Sequence, residues 1–137
     1  MRASTWDPLY VSALALATLL SLYGLTWCTI VWGVHARNWQ GSVLGIDISN
    51  TIWLVSRTEI SLLFMSTLAI ITALSGLILR RRFAVYALGA TILCHFALWI
   101  LMADNPYYTA TLGYAALVTE GVALSLAVLL MRRGFLR

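Results

Sequence analysis

The sequence predicts an all-α membrane protein in which four transmembrane helices form an antiparallel bundle. Of its 137 residues, 61% are hydrophobic and 10% are charged, whereas a water-soluble domain carries about a quarter of its residues as charges. The apolar residues form four runs of about 20 residues, the length that a helix needs to cross a bilayer core. Short connections between the last three runs predict that those helices are antiparallel neighbours.

The first helix is predicted over residues 8–34 and the second over residues 57–79. Asp7 suits the start of the first helix because its side chain caps free N–H groups, and the proline that follows is well tolerated at the first helical position. Ser56 and Glu59 have the spacing of a capping box at the start of the second helix. The first apolar run exceeds the roughly 7–15 apolar residues of a secretory signal, so it is predicted to be a retained helix.

The third helix is predicted over residues 83–103 and the fourth over residues 107–131. Pro106 cannot continue the third helix, and the Asp104 and Asn105 that precede it are typical of a tight turn. The four helices are therefore predicted to form a single transmembrane domain that takes up the whole chain.

The positions of the arginines predict the orientation of the bundle. All nine basic residues are Arg, and they cluster next to apolar runs, as they do in the cytoplasmic loops of membrane proteins. Both termini are therefore predicted to be cytoplasmic, in a multi-pass protein of a bacterial inner (plasma) membrane. The predicted interface anchors are the arginines Arg80, Arg81, Arg82, Arg132 and Arg133 and the tryptophans Trp32, Trp39 and Trp53.

The segment of residues 35–56 is predicted to be an outer interfacial loop between the first two helices. Its apolar residues alternate with polar residues in no single period. This pattern favours a re-entrant or interface-lying lid that aromatic rings anchor. The alternative is a surface for a partner subunit or a lipid-like ligand.

Small residues recur at three- and four-residue spacings along the predicted helices. This spacing lets helices approach closely in lipid. The predicted packing positions are Gly24, Cys28, Ala69, Ala73, Gly76, Gly113, Ala116 and Ala123. Cys28 and Cys94 are the only cysteines. Because they form no Cys-x-x-Cys and no zinc-like spacing with histidine, no metal site is predicted.

Two ionisable residues, His95 and Glu120, lie well inside the predicted spans. An acid at the centre of a transmembrane helix costs about 2.5–3.5 kcal/mol on insertion scales, so it is expected to face the bundle interior and to have a partner. The predicted depths of the two residues allow a direct contact. The hypothesis is an outward-facing polar pocket formed by Glu120, His95, Glu59, Ser66, Thr91 and Cys94. The alternative is a set of structural caps and interhelical hydrogen bonds.

Several function classes lack their signatures in this sequence. It contains no basic stripe for nucleic acid, no Gly-rich phosphate loop and no nucleophile elbow. The small extramembrane portion and the abundant packing positions favour an accessory or assembly subunit of a larger respiratory, photosynthetic or transport complex. Its expected partners are membrane lipids and either other membrane subunits or further copies of itself.

Two other functions use His95 and Glu120 directly. The first is a small oligomeric transporter or channel with a proton- or substrate-linked site at this pair. The second is a membrane enzyme that uses the pair as acid and base on a lipid-like or quinone substrate. A bound lipid or quinone is compatible with either function, but the sequence specifies no cofactor.

Overall fold

The computed structural model describes residues 7–43, 45–106 and 110–137. In chain order the elements are α1 (Pro8–Arg37), β1 (Ser42–Val43), β2 (Ile46–Asp47), α2 (Ile48–Trp53), α3 (Arg57–Ile78), α4 (Phe83–Leu101), a 3-10 turn (Met102–Asp104) and α5 (Ala110–Arg132). Within this described part, four helices, α1, α3, α4 and α5, are long and apolar enough to span a membrane. The chain is therefore an integral, multi-pass membrane protein.

The four long helices pack as a ring. α1 packs against α3 and α5, and α4 packs against the same two helices. Large apolar side chains on the outer faces are exposed, as expected of surfaces that contact acyl chains. The core contains many small side chains, which let the helices approach one another; its fully buried members include Ala13, Ala17, Ala73, Leu77, Leu88, Ala123, Ala127 and Leu130.

Two predicted packing glycines lie where helices meet closely. A Cβ atom added to Gly24 would lie 2.7 Å from Oγ1 of Thr67, and one added to Gly76 would lie 2.9 Å from Cβ of Ala84. Cys28 donates a hydrogen bond from Sγ to Oγ1 of the same Thr67 over 3.3 Å. Of the other predicted packing residues, Ala69 is half-buried. The rest are buried, and they are Ala73, Gly113, Ala116 and Ala123.

The helix starts carry the caps that the sequence indicates. Asp7 accepts the N–H of Leu9 over 2.9 Å. At the start of α3, Oγ of Ser56 accepts the N–H of Glu59, and the Glu59 carboxylate accepts the N–H of Ser56. This capping box satisfies two backbone N–H groups that would otherwise lack acceptors.

The helix ends differ by a few residues from the predicted ranges. α1 continues beyond residue 34 to Arg37, and the left-handed backbone of Asn38 (φ 54°) ends it. α3 ends one residue before the predicted position 79. α4 ends at Leu101, because the last residues of the predicted range, 102–103, belong to the 3-10 turn. The predicted start of the fourth helix, residues 107–109, lies outside the described residues, and α5 runs one residue past 131.

Replacing Ser56 by alanine is expected to lower the free energy of unfolding by about 1 kcal/mol, because the Glu59 N–H then loses its acceptor. Denaturant titration of the purified protein measures this loss. Ser61→Ala is the matched control, since the Ser61 hydroxyl bonds only to the exposed carbonyl of Arg57 in its own helix. Equal losses for the two variants would contradict the capping role.

The segment between α1 and α3 has more regular structure than the predicted loop. β1 and β2 pair in antiparallel fashion, with Ser42 opposite Asp47, and Asp47 then caps α2 by accepting the N–H of Asn50 over 3.1 Å. The sequence reasoning missed α2 because a six-residue helix is too short to show a helical period. Nδ2 of Asn105 donates to the carbonyl of Thr51 over 2.9 Å, so α2 is tied to the connection that follows α4.

The N–H of Asn50, and next the hydroxyl of Ser49, hold the pKa of Asp47 below its ordinary value of 3.8. Because the folded-state pKa is the lower one, this stabilisation is complete above the ordinary pKa and is lost as the pH falls through the folded value. An NMR titration of the Asp47 carboxyl carbon is expected to give a midpoint below 3.8, and Ser49→Ala is expected to raise it. A wild-type midpoint at or above 3.8 would contradict the capping geometry.

The last residues of the sequence pack against the connection between α3 and α4. The Arg80 guanidinium lies 5.4 Å from the ring centre of Tyr10 and 4.6 Å from that of Phe135. The N–H of Arg137 donates to the carbonyl of Arg80 over 2.7 Å. Phe135 and Leu136 are buried, a role that the sequence analysis did not predict.

The predicted interface anchors differ in how they are held. Arg80 is half-buried in its aromatic stack, whereas the other anchors are exposed: Arg81, Arg82, Arg132, Arg133, Trp32, Trp39 and Trp53. The Arg37 guanidinium lies 5.7 Å from the ring centre of Trp32. Trp39 folds back against Gly33, where an added Cβ would overlap its ring.

Candidate functional site

A cavity of about 90 Å³ lies within the bundle, beside α2. This volume has room for several water molecules. α1, α3 and α4 supply most of its walls, α2 supplies Thr51 and Ile52, and α5 supplies Glu120. The walls are mainly apolar, with a few polar groups among them. This combination is typical of small-molecule sites in proteins.

Five of the six predicted pocket residues line this cavity. They come from three helices and are Glu59 and Ser66 of α3, Thr91 and His95 of α4, and Glu120 of α5. The sixth, Cys94, is half-buried and is not a lining residue. It directly precedes His95, and successive residues of a helix point about 100° apart, so the two side chains face different directions.

His95 and Glu120 form a hydrogen bond between α4 and α5. Nδ1 of His95 and Oε1 of Glu120 are 2.8 Å apart, and their side chains are only 12% and 4% exposed. When Glu120 is ionised, the Nδ1–H of His95 donates to it, and a second proton on the ring converts the bond into an ion pair. The geometry lets a proton pass between imidazole and carboxylate without a large movement of either helix.

The second carboxylate oxygen of Glu120, Oε2, has no hydrogen-bond partner among the described residues. The whole residue is only 3% exposed. A buried carboxylate oxygen that lacks a donor is costly, so such atoms call for a specific explanation. A donor within the cavity would satisfy it, whereas a proton on the oxygen would remove the charge and leave an O–H group that needs an acceptor.

Three hydroxyl groups of the lining are already used as donors. Ser66 and Thr67 both donate to the carbonyl of Leu63, and Thr91 donates to that of Ala87. Each hydroxyl therefore offers only lone pairs to the cavity. Together with the two glutamates, they make the polar surface of the cavity rich in acceptors.

The sequence analysis missed two aromatic residues of the lining, Tyr23 and Trp27 of α1. Their ring centres are 6.3 Å apart in an edge-on arrangement. A signal for them was present, because two aromatic residues four positions apart share one face of a helix.

Within residues 7–43, 45–106 and 110–137, no group of three or more His, Cys, Asp or Glu side chains is placed to hold a metal ion. Comparisons with models of protein families, with curated proteins and with solved structures found no match. Inference about function therefore rests on the geometry and chemistry of the cavity.

Proposed function

We propose that this protein is a small proton-linked transporter that binds its solute in the cavity and exchanges a proton at the His95–Glu120 pair. The observation that carries this proposal is the pair itself, buried among membrane-spanning helices, with Oε2 of Glu120 lacking a partner in the described structure. Ionisable residues within membrane spans are rare, and they typically mark proton relays or substrate pathways. A purely structural lock is expected to satisfy both carboxylate oxygens with protein groups.

Coupling between solute and proton follows from the position of Glu120. It is the one residue of α5 among the described cavity lining, and its partner His95 lies on α4. A solute that binds at Glu120 therefore competes with the proton and also alters the contact between α4 and α5. A ligand shifts a conformational equilibrium only through such differential contacts with the two states.

The proposal includes an antiparallel bundle with both termini cytoplasmic in a bacterial inner membrane. Tyr10 near the start of α1, Arg80 between α3 and α4, and Phe135 near the chain end lie together at one end of the bundle. A separate contact, the hydrogen bond from Asn105 to the carbonyl of Thr51, joins the connections that follow α4 and α1. Because the Arg-rich end is expected to be cytoplasmic, the cavity would lie in the outer half of the membrane.

Uptake into proteoliposomes that carry an imposed pH gradient tests this function. The solutes are radiolabelled choline, leucine and lactate, which cross lipid bilayers slowly and represent a cation, a zwitterion and an anion. The wild-type protein is expected to drive uptake of at least one of them when the gradient is present. Glu120→Gln is expected to abolish the gradient-driven part.

Asp104→Asn is the matched control for this experiment. It also neutralises an acid, but Asp104 is exposed in the 3-10 turn and does not line the cavity. Its uptake is expected to equal that of the wild-type protein. Uptake no faster than into protein-free vesicles for all three solutes would contradict the proposal, as would unchanged uptake by Glu120→Gln.

An accessory or assembly subunit is the second candidate function. It is supported by Gly89 on α4 and Gly121 on α5, since a Cβ added at either glycine would meet nothing within 4 Å. Small residues on an outward face let a partner helix approach closely. Gentle extraction from the native membrane, followed by native mass analysis, is expected to recover a stoichiometric larger membrane protein if this function holds. Recovery of the chain alone or as a homo-oligomer would exclude it.

Catalysis on a lipid-like or quinone substrate stays a prediction of the sequence. The His95–Glu120 contact provides an acid and a base in one site, but the cavity of about 90 Å³ is small for an acyl chain or a quinone tail. We therefore favour a small solute over a lipid.

A further inference from the structure

We propose that the cavity takes a small alkylammonium ion, with its N–H groups directed to Oε2 of Glu120 and its charged head beside the aromatic wall that Tyr23 and Trp27 form. This inference rests on the proposed function, because it names the solute class of that same site. Its first support is the buried Glu120 oxygen that lacks a partner within the described structure. An ammonium group is a donor that has no lone pair, and it forms strong, charge-assisted bonds with a carboxylate.

The second support is the charge of the lining. The titratable groups that line the cavity are Tyr23 from α1, Glu59 from α3, His95 from α4 and Glu120 from α5. Two of these are carboxyl groups, and the described lining includes no Arg. Burial of an anion beside two carboxyl groups is unfavourable, whereas a cation is attracted to them. The lining therefore selects against carboxylate and phosphate ligands.

The third support is the aromatic wall. Trp27 and Tyr23 line the same cavity as Glu120, and the faces of such rings attract ammonium groups, tryptophan most strongly. The hydroxyls of Ser66, Thr67 and Thr91 add acceptors and no donors, because their own hydrogens go to backbone carbonyls. Charge, aromatic faces and hydrogen-bond capacity thus favour the same class of ligand.

Ligand-observed NMR titration of the purified, detergent-solubilised full chain tests this inference. The probes are n-butylammonium, n-butanol and butyrate, which share a chain and differ in the charge of the head group. We expect butylammonium to bind about 10- to 100-fold more tightly than butanol, the range that a charge-assisted hydrogen bond provides. Butyrate is expected not to bind. Equal or tighter binding of butanol or butyrate would overturn the inference.

Substitutions in the lining test whether the ion binds at Glu120 and Trp27. Glu120→Gln is expected to remove the preference for butylammonium over butanol, and Trp27→Leu is expected to weaken butylammonium binding by about 2- to 5-fold. The matched controls are Asp104→Asn and Trp32→Leu, which change an acid and a tryptophan outside the described lining. They are expected to leave binding unchanged. If Glu120→Gln does not fold, the Trp27→Leu and Trp32→Leu pair decides, and equal effects of the two would overturn the inference.

The binding experiment and the transport experiment test different claims, so one claim can be contradicted while the other is supported. Selective butylammonium binding without gradient-driven uptake of any solute would contradict the proposed function and support the ligand class. Uptake of leucine or lactate that depends on Glu120, without selective butylammonium binding, would support the function and overturn the ligand class.

Discussion

Glu120→Ala is expected to lower the free energy of unfolding by about 1–3 kcal/mol, because it removes an interhelical hydrogen bond and leaves a cavity in the packed core. The substitution leaves His95, which is 12% exposed, without its interhelical partner and opens space at the contact of α4 and α5. Glu120→Gln keeps the size and a hydrogen-bonding group, so it is expected to cost far less. Denaturant titration in mixed micelles measures both values.

The double variant His95→Leu/Glu120→Leu distinguishes the stability cost of breaking the His95–Glu120 pair from the cost of disturbing the packing of the core. Replacing a buried pair by apolar residues of similar volume is often neutral or stabilising, so the double variant is expected to be close to the wild-type protein in stability. It is also expected to lose gradient-driven uptake completely. A double variant less stable than Glu120→Ala would contradict the coupling between the two side chains.

Gly76→Leu is expected to destabilise the protein by about 1–3 kcal/mol through overpacking. A Cβ atom at this position would lie 2.7 Å from the ring of Phe83 and 3.0 Å from Cα of Ala84. The backbone of α4 cannot move away without losing its contact with α3. Thermal or denaturant unfolding of the purified protein measures the loss.

Gly89→Leu is the matched control, because a Cβ at Gly89 meets nothing within 4 Å. Leucine is the better helix former, so this variant is expected to be unchanged or to gain up to about 1 kcal/mol. Similar losses for Gly76→Leu and Gly89→Leu would show that α3 and α4 do not approach closely at Gly76.

The membrane-spanning helices were predictable because their signals are local. Runs of apolar residues gave the number of helices, and Ser56 with Glu59 gave the start of α3. The helix at 48–53 and the buried Phe135 depend on contacts with distant parts of the chain, such as the hydrogen bond from Asn105 to Thr51. Local composition does not carry that information.

Part of the candidate site was also predictable from the sequence. Placing a charge in lipid is costly, so His95 and Glu120 were expected to face inward, and they lie 2.8 Å apart across two helices. Rotation of each helix about its axis is set by packing, and it turns Cys94 away from the cavity and Trp27 into it. Spacing along the chain fixes a face but not the cavity that this face lines.

The most direct test of the account is the distance between the His95 ring and the Glu120 carboxyl group in a lipid bilayer. Solid-state NMR of protein with 15N-labelled histidine and 13C-carboxyl-labelled glutamate measures it, and the chain has only two residues of each type. His35→Gln removes the other histidine, whose ring contacts the carbonyl of Val31. Strong dipolar coupling between the His95 nitrogen and the Glu120 carboxyl carbon, absent in Glu120→Gln made with unlabelled glutamine, is the expected result. The absence of that coupling in the wild-type pair would contradict the site and the functions built on it.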